Sequence, residues 1–155
     1  MFNKHVEDKL AIIMRGLPGS GKSYWAKEFA TAYAQDDNGG QPDKQCSIFS
    51  TDHYFYSEGA YQFNPKLLSR YHQLNLTAFI EAMAEGVSIV ICDNTNLQHW
   101  EYQAYCAAAL ALGYKVQVEL VGQPKNLVHQ QLCAQRNQHS VPLVSIKRMA
   151  ANFEC

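Results

Sequence analysis

The sequence predicts an α/β fold, a three-layer α/β/α sandwich around a parallel sheet of about four strands, and three observations carry that prediction. Four short, largely apolar runs, at 10–14, 46–50, 87–92 and 114–121, alternate with segments of ten or more residues at helical spacing. The glycine-rich stretch Gly16-Leu17-Pro18-Gly19-Ser20-Gly21-Lys22-Ser23 lies between the first run and the first helical segment. The later runs end in polar turns, which is where open parallel sheets keep their ligands.

Each element follows in order. After the glycine turn, Lys22 to Tyr33 carries Trp25, Phe29, Ala32 and Tyr33 and is expected to be helical. Gln35 to Gln45, with Gly39, Gly40 and Pro42, is expected to be an exposed, mobile loop before the second strand. Asp52 to Phe63 is irregular and aromatic. Asn64 and Pro65 then form an N-cap and first-turn pair opening a helix that runs to about Glu85, before Gly86.

The third strand ends at Asp93-Asn94-Thr95-Asn96, and a helix from Leu97 to Leu112 stops at Gly113, a left-handed C-terminal glycine. The fourth strand alternates Val116, Val118 and Leu120 with Lys115, Gln117 and Glu119, so one face is wetter and the strand belongs near a sheet edge. Pro124 begins a helix to about Arg136. After the link Asn137–Val141, Pro142 opens a last helix with Leu143, Ile146, Met149, Ala150 and Phe153 on one face. Placing the third strand beside the first gives the expected order 2-3-1-4, with the last two helices as a C-terminal lid.

At 155 residues and 47% hydrophobic content, the chain is expected to form a single domain spanning residues 1–155. Thirteen Lys and Arg against fourteen Asp and Glu give a formal net charge of −1, so any polyanion site must be local. Only 17% of residues are charged and 12% are aromatic, the opposite of a disordered composition. The five cysteines are odd in number and contain no C-x-x-C pair, so neither a disulfide framework nor a zinc knuckle is indicated. A polar N-terminus and the lack of a long apolar run imply a cytoplasmic protein with no membrane partner. Oligomeric state is not legible.

The segment GLPGSGKS fits G-x-x-x-x-G-K-[ST] between a strand and a helix, the context its chemistry requires. Gly16, Pro18, Gly19, Ser20 and Gly21 shape a turn whose backbone N–H groups face a phosphate, and the helix N-terminus adds positive dipole. Lys22 reaches the β and γ phosphates and Ser23 can ligate Mg²⁺. Asp93, at the end of a strand, suits a metal site or a turn. Asn94 and Asn96 divide between that rim and capping of the next helix. Asp52 follows the second strand and should stand on the phosphate-loop rim, as a proton acceptor for an attacking hydroxyl or as an Asx turn.

Arg136, at the end of a helix, either reaches a transferred phosphate or complements the helix dipole. His53 beside Asp52 reads as a surface or orienting residue. Tyr54, Phe55, Tyr56, Tyr61, Phe63 and Tyr71 can stack a ring or pack beneath a loop, and packing is the commoner use of such residues. No hydrolase triad or metal-binding histidine spacing is visible.

Together, GLPGSGKS, STDHYF, ICDNTN and RNQHSVP resemble, in order and over nearly the whole chain, the polynucleotide kinase-like branch of P-loop kinases, including its small stand-alone members usually labelled AAA-type ATP-binding proteins. The resemblance implies ATP as donor, Mg²⁺ as cofactor and a hydroxyl acceptor such as a nucleic-acid 5′ end or a nucleotide. It implies a phosphate-binding role for Lys22 and Ser23, a general base at Asp52, metal support at Asp93 and a lid residue at Arg136. Two positions depart from the pattern. Phe55 stands where phage-type relatives carry an arginine, and the lid offers His139 in place of further arginine. The acceptor therefore stays open between a nucleic-acid end and a small molecule, with a non-enzymatic ATP-binding adaptor as a third class.

Overall fold

The computed structural model describes residues 9–35 and 45–155. The expectations for a mobile loop at 36–44 and for the first eight residues lie outside the described residues. In chain order the elements are β1 (Leu10–Arg15), α1 (Lys22–Gln35), β2 (Cys46–Phe49), a 3-10 turn (Thr51–Phe55), β3 (Tyr56–Ser57), β4 (Ala60–Tyr61), a second 3-10 turn (Pro65–Leu67), α2 (Leu68–Ala84), β5 (Ile89–Cys92), α3 (His99–Ala111), β6 (Lys115–Leu120), α4 (Leu127–Arg136) and α5 (Leu143–Ala151).

Four strands form one parallel sheet in the order β2-β5-β1-β6, the expected 2-3-1-4 in terms of the main strands. The register aligns Phe49 with Cys92, so β2 and β5 finish level, while β1 runs two residues past Ile13, the partner of Cys92, and finishes level with β6 at Arg15 and Leu120. The residues just beyond them, Ser50–Asp52, Asp93 and the glycine turn, are thereby brought to one rim.

The apolar runs are continuous because both sheet faces are covered. On one face Ala11, Ile13, Val90 and Cys92 pack with Phe79, Met83, Tyr105, Ala109 and Tyr114 from α2, α3 and the start of the β6 segment. On the other, Ile12, Met14, Ile89 and Ile91 meet Ala26, with Trp25, Phe29 and Tyr33 of α1 packed alongside. A third cluster of Leu17, Cys133, Ile146 and Ala150 ties the glycine turn to α4 and α5, and this contact sets where the two C-terminal helices sit. β6 lies at the sheet edge as expected, but the wetter face is not the polar one: Val118 and Leu120 are exposed while Gln117 and Glu119 are half-buried.

Several boundaries differ from the sequence reading. Asn64 does cap, its side chain accepting from the Lys66 N–H, but Pro65 opens a 3-10 turn and α2 starts only at Leu68. The helix expected from Leu97 begins at His99, because Gln98 and Glu101 form a reciprocal capping box. The helix expected from Pro124 begins at Leu127, capped by Asn126, while the Pro124 carbonyl accepts from Gln130 Nε2. The hairpin β3–β4 has no sequence counterpart, since strands of two residues are too short to display alternation. Its turn, Glu58-Gly59, takes φ of 51° and 80°, the left-handed pair that a two-residue hairpin requires. All five cysteines are free thiols. Among the described residues no helix is long and apolar enough to cross a membrane.

Candidate functional site

The glycine turn is shaped by what presses on it. Gly19 has φ +82°, and a Cβ there would lie 2.4 Å from the Cys133 carbonyl oxygen and 2.9 Å from the Asn137 nitrogen. Only glycine allows the turn to seat against the end of α4. Inside the turn, the Ser20 N–H bonds the Leu17 carbonyl at 3.0 Å, and Lys22, the first residue of α1, donates from Nζ to the same oxygen at 3.0 Å. Burial pushes the Lys22 ammonium below its ordinary pKa, opposed by the nearby charges of Asp93 and then Asp52. A buried cation only partly compensated by fixed carboxylates suits an added anion.

Ser23 Oγ donates to Asp93 Oδ2 at 2.7 Å. Asp93 is 6% exposed, and its Oδ1 and the Ser20 hydroxyl are both buried without a hydrogen-bond partner. Such orphaned groups are costly in a finished core and ordinary in a site that receives a ligand.

Asp52 is the second residue of the 3-10 turn after β2. Its predecessor is held from two directions: the Thr51 N–H donates to Asn94 Oδ1 and its hydroxyl pairs with His72 Nδ1, both at 2.9 Å. Tyr61 OH donates to Asp52 Oδ1 at 3.3 Å, and His139 Nε2 lies 3.7 Å from Oδ2. Arg136 is the last residue of α4. Asn137 fixes the corner behind it, donating to the carbonyls of Cys133, Ala134 and Val141 and accepting from the Val141 N–H at 2.7 Å.

Gly19, Lys22, Ser23, Asp52, Asp93 and Arg136 all line one cavity of about 810 Å³, within the size range of small-molecule sites. Pro18, Ser20 and Gly21 line it too; Gly16 stands behind it, with a Cβ there meeting the Val121 carbonyl oxygen at 2.7 Å. Asn94 and Asn96 resolve into structural ties. Asn94 holds Thr51, Asn96 donates to the Met14 carbonyl at 2.8 Å, and neither caps α3.

The aromatic group divides as well. Phe55 is buried among Tyr61, Phe63 and Tyr71, whereas Tyr56 and His53 line the cavity. Sequence reading assigned no role to His72 or Asn137, took Tyr61 only as a ring that stacks or packs, and noted His139 only as standing in the lid in place of further arginine. Asn137 bonds within its own corner, but Tyr61, His72 and His139 find their partners 9, 21 and 87 positions away, and no local spacing reveals such contacts.

A parallel sheet in this order, with a phosphate loop at its first strand and a helical pair over the rim, defines a P-loop nucleotide-binding fold of the kinase type. The chain belongs to the family described as AAA domain, whose model matches residues 12–155. It is 38% identical over 148 residues to NEDD4-binding protein 2 of Homo sapiens, covering 92% of this chain and only 8% of that protein's length. Among solved structures it is similar to a chain of the Pnkp1/Rnl/Hen1 RNA repair complex, with a TM-score of 0.66 at 13% identity, covering 97% of this chain and 45% of that one. Chaetomium thermophilum Kti12 in complex with ADP-AlF3 is a further fold neighbour, with a TM-score of 0.56 at 19% identity over 94% of this chain and 80% of that one.

Proposed function

We propose that the chain is an ATP-dependent phosphotransferase that moves the γ-phosphate of ATP to a hydroxyl, with the 5′-hydroxyl of a nucleic acid or nucleotide as acceptor. The observation that carries the reading is Asp52: a carboxylate on the rim of the same cavity as the phosphate loop, near enough to Lys22 to oppose the effect of its burial. A P-loop ATPase needs no such residue at that place, whereas a kinase needs a proton acceptor there.

In this reading Asp52 takes the proton of the acceptor hydroxyl as its oxygen bonds to the γ phosphorus and the bond to the β-phosphate oxygen breaks, with ADP leaving. Lys22, the backbone N–H groups of Gly21, Lys22 and Ser23, and Arg136 stabilise charge on the phosphates, and positioning supplies most of the rate. Ser23 and Asp93 fit a Mg²⁺ ion: two oxygen donors, one carboxylate oxygen unpartnered, and room for waters in an open cavity. A Mg²⁺ ion held there would supply positive charge to offset that of the phosphates. The likeness to a chain of an RNA repair complex supports a nucleic-acid acceptor, and the likeness to an ADP-AlF3 complex supports the nucleotide side.

The test is transfer of γ-labelled phosphate from ATP to 5′-hydroxyl DNA, 5′-hydroxyl RNA, nucleosides and small alcohols, beside Asp52→Asn. Label on an oligonucleotide that disappears in the variant, with ATP binding retained, is expected. Label only in free phosphate, unchanged in the variant, would leave an ATPase or adaptor. A second reading, a small-molecule kinase, is favoured by Phe55, which is 3% exposed and turned into the aromatic cluster, leaving no cation at that position to grip a nucleic-acid phosphate. Label confined to the small alcohols would select it.

A further inference from the structure

Two residues that touch Asp52 have no part in the mechanism above. The Asp52 side chain is 50% exposed, and a short carboxylate so placed swings unless it is held. Tyr61 comes from β4 and occupies Oδ1; His139 comes from the α4–α5 corner, three residues beyond Arg136, and stands 3.7 Å from Oδ2. The two rings stack on each other, with centroids 3.8 Å apart and planes 22° from parallel, and Tyr56 sets its ring edge-on to both. Hairpin and lid therefore meet at the carboxylate itself.

We propose that Tyr61 and His139 are positioning residues, a clasp that orients the Asp52 carboxylate when the α4–α5 corner is seated. Seating of Arg136 over the cavity and alignment of the base then become one event. The proposal rests on the reading of Asp52 as the base. The two halves of the clasp are unequal. The Tyr61 bond is within hydrogen-bond range, whereas 3.7 Å is an electrostatic contact that leaves Oδ2 free to take a proton from an acceptor. Burial, then the charge of Asp52, pushes the Tyr61 phenol above its ordinary pKa, so it stays a donor throughout the neutral range. His139 keeps its place by stacking, since its Nδ1 is buried without a partner.

The experiment has a kinetic arm and a spectroscopic arm. Tyr61→Phe removes the hydroxyl and keeps the stack; His139→Phe keeps the stack and removes the ring nitrogens. Each is expected to lower kcat for transfer about tenfold or more, the scale of a displaced catalytic group, while KM for ATP stays within about twofold. Placed on Asp52→Asn, neither should lower the residual rate further, because both act through that carboxylate. Equal losses in both backgrounds, or a rise in KM for ATP with kcat unchanged, would overturn the proposal alone. A wild-type rate in Asp52→Asn would overturn the base reading and the proposal together. By proton NMR, the His139 ring signals should show an upfield ring-current shift that Tyr61→Leu abolishes; an unshifted ring would remove the clasp whatever the kinetics.

Discussion

Two glycines with nearly the same backbone angle allow the contact between phosphate loop and lid to be measured. Gly19 has φ +82° and Gly113 has φ +81°, but a Cβ at Gly113 meets nothing within 4 Å, while one at Gly19 meets the Cys133 carbonyl oxygen at 2.4 Å. Gly113→Ala should therefore cost only the left-handed strain, about 1–2 kcal/mol. Gly19→Ala carries the same strain plus the contact. Relief to an ordinary separation of 3.4 Å or more requires the end of α4 to recede by about 1 Å, against the packing of Leu17 on Cys133, Ile146 and Ala150. Overpacking of that kind costs about 1–3 kcal/mol, so Gly19→Ala should lose about 2–5 kcal/mol in all. Urea unfolding of the two variants against the parent gives the difference directly. Nucleotide affinity should fall in Gly19→Ala and hold in Gly113→Ala, because only the first displaces the loop. Equal destabilisation by the two substitutions, with equal affinity for nucleotide, would refute the claim that lid and loop are pressed together through Gly19.

The remaining expectations concern charge and burial. Lys22→Ala should abolish transfer and weaken ATP binding, measured by titration calorimetry, since no other lysine lies buried in the loop. Ser23→Ala and Asp93→Asn should each raise the Mg²⁺ concentration needed for half-maximal transfer by about tenfold or more. Arg15 is 5% exposed, donates to the carbonyls of Asn96, Leu97 and Glu154, and lies against Tyr102 and Phe153, so Arg15→Met should cost about 2–4 kcal/mol in urea unfolding. Burial pushes the Cys92 thiol up to about 12, so above pH 9 the unfolded chain ionises there while the folded chain does not. Stability should fall by about 1.4 kcal/mol per pH unit from that site over the window from 9 towards 12, and Cys92→Ala should flatten the slope of urea stability against pH.

The fold was legible where it depends on periodicity. Continuous apolar runs such as Ile12-Ile13-Met14 and Val90-Ile91-Cys92 become strands because helices cover both faces of the sheet, and sequence patterning registers that directly. Helix starts were misread by two or three residues at 97 and 124. The residues that open those helices, Gln98 with Glu101 and Asn126, compete with other polar residues nearby, and tertiary contacts decide among them. Thr95 and Asn96 look like caps, but the Thr95 carbonyl accepts from the Gly16 N–H and Asn96 supports the end of β1. The hairpin at 56–61 lacked any pattern because its strands are too short to carry one.

The candidate site was legible to the extent that its chemistry is local. The phosphate loop announces itself, since its function demands glycines, a lysine and a hydroxyl at fixed spacing on one turn. Asp52 and Asp93 were reachable through a single further step, that strands of a parallel sheet finish on one rim, and the pairing of Phe49 with Cys92, the last residues of β2 and β5, is that step in the fold. Tyr61 and His139 lay beyond such reasoning. A tyrosine nine residues from an aspartate and a histidine eighty-seven away share no motif; they meet because the lid is fixed by packing on Leu17 and the hairpin by a left-handed turn. Residues that perform a reaction must satisfy its chemistry and so leave a type and a spacing in the sequence. Residues that hold those in place satisfy only geometry, and many side chains meet a geometry, which is why the supporting half of the site emerges only once the fold is known.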